Sequence, residues 1–496
     1  MKKIVFVLLM GLSVSTVYSQ LIQDAVRYSQ DNISGTARFR AMSGAFGALG
    51  GDLSSVSINP ASSAVFNYNQ IGFSFGNHSS NNTSNYFGTT SSACDSSFEM
   101  NQFGAVFVFK ANNSSSKVNK FSLGITYENS NNFDNFIYSN GTNPTTSVAN
   151  YFLSYANGIP LNVITGLPYS SMNYAEQQAF MGYEGYLINP ISNAPNNTLY
   201  TSNVPAGDYY QQNFTYSNGY NGKIVFNAAA QVNDKFHFGL NLNSHFVDFF
   251  QVTNFFESNN NDTQNGLQRM QFDNSLLTYG NGFSFQLGTI VKVVDGLRFG
   301  LTYDSPIWYN LTDETTQYLA STDAQNGTSF SNVVNPGIIN IFPTYGINTP
   351  WKISTAFAYV FGKTGLLSVD YAFKDYNSLR FSPSGDPYFN GLNAEMSSIL
   401  KSTSEIRVGA EYRIKNFSLR GGYRFEESPY KNGTTLGDLN SFSTGVGYDF
   451  GPMKVDFAYS NMQRTSNQGF FSQGLTSPAN VKNQVDSFFI TFLFGL

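Results

Sequence analysis

From about Gln70 to the C-terminus, apolar residues return at every second position, the period of an extended strand with two unlike faces. The last stretch shows it most clearly: Phe488, Ile490, Phe492, Phe494 and Leu496 fall on one face, and Ser487, Phe489, Thr491, Leu493 and Gly495 on the other. Ile406, Val408, Ala410, Tyr412 and Ile414 oppose Arg407, Glu411 and Arg413 in the same way. Phe417, Leu419, Tyr423 and Phe425 oppose Arg420, Arg424 and Glu426, while Val455, Phe457 and Tyr459 oppose Lys454 and Asp456. A strand with charge on one face only needs a wet side and a dry side. On the lipid face of a barrel a midplane Arg or Lys costs about 2–4 kcal/mol, so these charges are expected to point into a polar lumen. Their mixed signs favour a structural ion-pair network over a selectivity ring.

The pattern predicts strands near 70–77, 102–110, 120–129, 211–232, 235–256, 280–294, 297–312, 351–361, 366–381, 404–414, 417–426, 440–450, 453–462 and 484–495. About fourteen strands, an even number, suit a transmembrane antiparallel β-barrel, an all-β fold. Tight turns are expected at Asn233-Asp234, Asp295-Gly296, Gly362 to Gly365, Lys415-Asn416 and Gly451-Pro452, with a longer polar turn from Ala111 to Asn119. They alternate with long connections. Short periplasmic turns and long outer loops are the rule for such barrels, which sets both chain ends in the periplasm. The longest connection, roughly Ser130 to Asp208, carries apolar patches at 151–164 and 172–186 that are expected to form short helices over the mouth, and they are candidates for ligand capture.

Composition narrows the alternatives. Only 12% of residues are charged and 16% are aromatic, a profile that neither a soluble protein nor a disordered chain shares. After the first two dozen positions no apolar run approaches the roughly 20 residues of a membrane helix. A large secreted β-sandwich is the bland rival. A net charge of −5 leaves no basic footprint for nucleic acid. The single Cys94 cannot make an internal disulfide, and His78, His237 and His245 are too scattered to suggest a metal. No nucleophile and base, paired carboxylates or phosphate loop points to catalysis or to a cofactor. Lys2, Lys3, the apolar run Ile4 to Val14 and Val17-Tyr18-Ser19 read as an export signal at 1–19, with the mature chain starting near Gln20.

Between 20 and 69 the pattern changes to a Gly-rich and Ala-rich stretch with glycines at Gly35, Gly44, Gly47, Gly50 and Gly51. These glycines could mimic a dinucleotide loop, but no strand precedes them and no βαβ unit follows. Small residues allow close backbone approach, so a compact hatch folded inside the barrel of 70–496 is the better expectation. Asn59, Pro60 and Ala61 stand immediately ahead of the first strand, preceded by Gly35, Arg38, Gly44 and Asp52. In this the chain resembles the outer-membrane long-chain fatty-acid transporters of the FadL and TodX family, as a divergent member. Gly300 to Asp313 is similar to the family's strand after its mid-chain turn. A turn that merely launches the first strand is the plainer reading of Asn59 to Ala61.

The resemblance implies a Gram-negative outer-membrane barrel of fourteen strands, plugged by the hatch. It implies passive uptake of a hydrophobic ligand such as a long-chain fatty acid, from the mouth to a pocket above the hatch and then sideways into the bilayer. The rival function is a barrel that docks secreted proteins or other partners at the surface. A diffusion porin would want an open lumen, and a siderophore receptor about 22 strands and a larger plug. The aromatic final strand also resembles the assembly signal of outer-membrane barrels, so the barrel-assembly machinery is an expected partner during biogenesis.

Overall fold

The alternating segments pair, each with its chain neighbour, into an antiparallel sheet whose last strand returns to its first, from Gln70 opposite Gly495 to Asn85 opposite Asn480. The computed structural model describes residues 20–111 and 116–496, so the expected export signal at 1–19 and part of the turn at 111–119 lie outside the described residues.

The wall begins with β1 (Gln70–Tyr86), β2 (Thr89–Lys110), β3 (Val118–Asn132) and β4 (Asn135–Asn143). After the long connection come β5 (Tyr209–Val232), β6 (Phe236–Ser258), β7 (Gly266–Val294), β8 (Leu297–Asp304) and β9 (Trp308–Gln325). The remainder is β10 (Tyr345–Asn348), β11 (Lys352–Phe361), β12 (Gly365–Asp375), β13 (Ser402–Ile414) and β14 (Phe417–Glu426). It closes with β15 (Leu439–Asp449), β16 (Met453–Gln468) and β17 (Ala479–Gly495). Three staves are broken in two, β3 with β4, β8 with β9 and β10 with β11, so the closed barrel has fourteen staves. No described helix is long and apolar enough to cross a membrane.

The two faces separate as the period demands. Phe417, Phe457 and Phe488 are more than half exposed on the outside, while Glu411, Arg424 and Thr491 are buried on the inside. The tight turns fall where left-handed backbone is tolerated: Asn233 and Asp234 both have positive φ, as a two-residue hairpin turn requires. Several strands run well past the apolar alternation. β1 and β2 continue through Ser, Thr and Asn to a turn at Phe87-Gly88, where a long outer connection is expected from the pattern, and β7 starts at Gly266 instead of near 280. These extensions rise beyond the Phe- and Leu-rich band, where no lipid imposes alternation.

Above the barrel, α4 (Ala149–Ala156), α5 (Leu161–Gly166) and α6 (Tyr174–Glu184) pack together as a lid. Phe152, Ile164 and Met181 are fully buried against Phe255, Phe272 and Leu319 of the wall. Much of the apolar surface of the two patches considered for capture is therefore turned inward, against the wall and against itself. Glu257 fastens the lid, accepting from Val148 N at 2.8 Å, Gln211 Nε2 at 2.7 Å and Ser147 Oγ.

Candidate functional site

Residues 20–69 lie within the ring of strands, in short pieces: α1 (Ile22–Ser29), α2 (Ala37–Ala41), α3 (Ser55–Ile58) and a 3₁₀ turn at Pro60–Val65. They touch strands from both ends of the chain. Ala37 N donates to Thr491 Oγ1 at 2.7 Å on β17, Ser63 Oγ meets Ser122 Oγ at 2.9 Å on β3, and Gly47 N donates to Asp370 Oδ2 at 2.8 Å on β12. Of the five glycines singled out, Gly35, Gly44, Gly50 and Gly51 have positive φ. Gly47 does not; there a Cβ would fall 2.7 Å from Ala356, so close approach is its reason.

Asn59, Pro60 and Ala61 form a cap and an anchor at once. Asn59 Oδ1 accepts from Ala61 N at 3.1 Å, while its Nδ2 donates to Gly47 O at 2.7 Å and to Thr289 O on the wall at 3.0 Å. The wall is flattened to receive them. Gly239 and Gly288 stand directly opposite each other on β6 and β7, and a Cβ on either would lie about 2.2 or 2.1 Å from Pro60 or Asn59. A second opposed pair, Gly409 and Gly422 on β13 and β14, makes the same kind of seat for Met42. Sequence reasoning missed both pairs, although glycine at matching inward positions of neighbouring strands is a legible signal.

The charges of β13, β14 and β16 meet across the strands. Glu411 receives Arg38 of the N-terminal segment at 2.8 Å and Arg420 at 2.7 Å, with Arg413 alongside, and Arg420 also reaches Asp456. Arg424 bridges Glu405 at 2.6 Å and Glu426 at 2.7 Å, and Arg407 Nη1 donates to Gly44 O at 3.2 Å. Lys454 stands apart, half-exposed and paired with Asp449 near the turn at 451–452. Cations and carboxylates are thus used up on one another, and the N-terminal segment is tied into the network.

Above this floor the lumen divides by chemistry. The apolar part is occupied by α1, whose Ile22, Val26 and Tyr28 pack on Phe249, Tyr309 and Tyr345. Beside its end lies a cavity of about 130 Å³ with Asp31, Lys352, Lys374, Lys223, Glu128 and His245 in its lining. Asp31 bridges Lys352 at 2.9 Å and Lys374 at 3.2 Å. Burial works against its charge, yet the two ammoniums outweigh burial and hold its carboxyl well below the usual carboxylate range. No cluster of His, Cys, Asp and Glu suited to a metal occurs among the described residues.

The cavity reaches Ser130, where the wall is interrupted. β2 pairs with β3 only from Gln102 opposite Glu128 to Lys110 opposite Lys120. Beyond Asn132 the chain turns through Phe133 and Asp134 into β4, which pairs with β5 but whose other edge meets the inward face of the β1–β2 hairpin through side chains. Asn82 Nδ2 donates to Phe136 O at 2.8 Å and Ser91 Oγ to Tyr138 O at 2.8 Å. Opposite this turn β5 carries Gly219 at φ +111, whose carbonyl accepts from Phe133 N at 2.9 Å. The resulting seam is held by Glu99, which accepts from Asn132 Nδ2 at 2.9 Å, from Asn129 Nδ2 and from His78 Nε2 at 3.0 Å. It lies level with the outward Phe98 and Met100. None of this was visible in the sequence, because Asn and Ser read equally well as loop.

The family described as outer membrane protein transport protein (OMPP1/FadL/TodX) matches residues 188–489. A Pseudomonas aeruginosa FadL homologue of known structure is similar over 94% of this chain and 99% of its own, with a TM-score of 0.56 at 12% identity. The Pseudomonas putida toluene transporter TodX is similar over 94% of this chain and 100% of its own, with a TM-score of 0.51 at 11% identity. No curated protein matches the sequence.

Proposed function

Because the chain belongs to the outer membrane protein transport family OMPP1/FadL/TodX, a family of transport and not of catalysis, we propose that it takes up hydrophobic molecules such as long-chain fatty acids and releases them sideways through the seam between β2 and the β3–β4 stave. The observation that carries this reading is the seam. A barrel wall is held by a continuous ladder of backbone hydrogen bonds; here, at the level of outward apolar residues, side chains replace the ladder. Lateral exit keeps an acyl chain out of water along its whole path, which a vertical aqueous channel would not.

The cargo favoured by the lumen is amphipathic. One structural neighbour is a toluene transporter, but a bare hydrocarbon gains nothing from a cavity with lysines, carboxylates and a histidine in its lining. An acyl chain with a polar head uses both the apolar space held by α1 and the charged cavity beside it. In this reading 1–19 is the export signal, 20–69 the hatch and 70–496 the barrel, with both ends facing the periplasm of a Gram-negative cell.

The test is to bridge the seam. In a Cys94→Ser background, Ser97→Cys and Asn132→Cys replace two side chains now hydrogen-bonded at 3.0 Å, and a short thiol-reactive cross-linker joins them. Uptake of a labelled fatty acid into proteoliposome membranes is expected to stop on bridging, while binding of a fluorescent fatty acid to the purified protein persists. Undiminished uptake with the seam bridged would exclude lateral exit. Absence of any hydrophobic ligand, together with co-purifying secreted proteins, would turn the assignment to docking.

A further inference from the structure

Most of the guanidiniums around the N-terminal segment find a carboxylate, but Arg40 does not. It sits on α2 with 8% of its surface exposed. Its Nη2 donates to Ser460 Oγ at 3.2 Å, its Cζ lies 4.2 Å above the Phe489 ring, and its Nε has no hydrogen-bond partner. Among the described residues it makes no ion pair, and Glu99 is the one carboxylate near enough to act on its charge. Burial opposes its charge most, Arg424 adds to the opposition, and only the more distant Glu99 favours it; together they bring its pKa down to about 9, so it remains a cation at neutral pH. A buried cation without a counter-charge is among the costliest arrangements a protein can hold.

The wall facing Arg40 is built of hydroxyls. Ser443, Ser460 and Ser487 stand directly opposite one another across β15, β16 and β17, and Ser487 is opposite His78 on β1, making one inward row over four strands. Ser43 of the N-terminal segment joins the row through Ser443 at 2.7 Å. Arg40 and this row border a cavity of about 30 Å³, large enough for a water or a halide. A serine hydroxyl that accepts from a guanidinium, as Ser460 does, keeps its own proton free to donate. Ser443 is engaged with Ser43, and Ser487 with His78 Nδ1 at 2.9 Å, so the donors that converge on this small space are the Arg40 guanidinium and Ser460, with positive charge behind them.

We infer that this space is an anion site, taking a compact monovalent anion of chloride size as the counter-ion of Arg40. A water would satisfy the donors but not the charge. The tip of a carboxylate presents the same chemistry as a free halide, and the two sources are separable by competition.

The protein crystallised with sodium bromide is expected to show an anomalous peak within hydrogen-bond distance of Arg40 and Ser460. In solution, replacing gluconate by chloride at constant ionic strength should raise the melting temperature of the purified protein, and Arg40→Met should abolish that rise. Octanoate that displaces the bromide peak would assign the site to a carboxylate head as well; octanoate without effect would leave it to free halide. An empty cavity in the bromide map, or an equal chloride response in wild type and Arg40→Met, would overturn the inference. Should Arg40→Met fail to fold, the bromide map decides alone.

Discussion

The two sides of this barrel are built by different rules. From β13 to β16 the ladder is unbroken, arginines and carboxylates interlock, and the N-terminal segment is tied in through Arg38 and seated on Gly409 and Gly422. Between β2 and the β3–β4 stave the ladder fails above Gln102, and Asn, Ser and one Glu stitch the wall with side chains. The contrast shows where such a wall can open. Parting a ladder leaves unsatisfied backbone groups in lipid, at several kcal/mol each, whereas a side chain that lets go can turn to water or to cargo.

The comparison breaks first on the locked side. Glu411→Ala leaves Arg38 and Arg420 without their shared carboxylate, and removing one partner of a buried pair costs about 3–5 kcal/mol; denaturant unfolding of the folded barrel should show a loss of that order. Gly422→Val adds a Cβ 2.5 Å from the Met42 backbone, and overpacking of this kind costs about 1–3 kcal/mol. The N-terminal segment should shift off the wall, with raised conductance in planar bilayers as the readout.

On the seam the effects should be smaller in stability and larger in rate. Glu99→Gln keeps the shape and weakens hydrogen bonds to a charged acceptor, worth about 1.5–3 kcal/mol when intact. Global unfolding should hardly change while fatty-acid release into the bilayer accelerates. If release slowed, Glu99 would be part of the path and not a clasp across it. The smallest expected effect concerns Asp31. Its folded pKa is depressed, so what it contributes is present above the unfolded value of about 3.9 and is lost only as pH falls below that, through the lower folded value. Ligand binding should therefore be flat from neutral pH down to about 4 as far as Asp31 is concerned, and Asp31→Asn should change it at neutral pH.

How much of this was legible depended on whether lipid or a neighbour imposed the residue choice. Period-two alternation marked the fourteen staves and the inward turn of Arg407, Glu411, Arg420 and Asp456 because hydrocarbon admits no other pattern. Ser79 to Ser97 escaped notice as strand because water meets it and no alternation is enforced. Which carboxylate meets which guanidinium could not be read from one strand, since partners such as Arg420 and Asp456 are 36 positions apart. The break at Phe133-Asp134 lies opposite Gly219, a residue of a different strand, and only the register between them reveals it.

The N-terminal segment holds on to β3 at Ser122 and to β17 at Thr491, so it is gripped by staves made early and by the stave made last. Biogenesis must accommodate this. A chain that closed its ring empty would have to thread some fifty residues past α4, α5 and α6, whereas one that folds its strands around the waiting segment meets no such obstacle. Joining β1 to β17 is then the step that traps the segment, and variants that weaken its grip should be caught as unclosed assembly intermediates before they are ever seen as leaky pores.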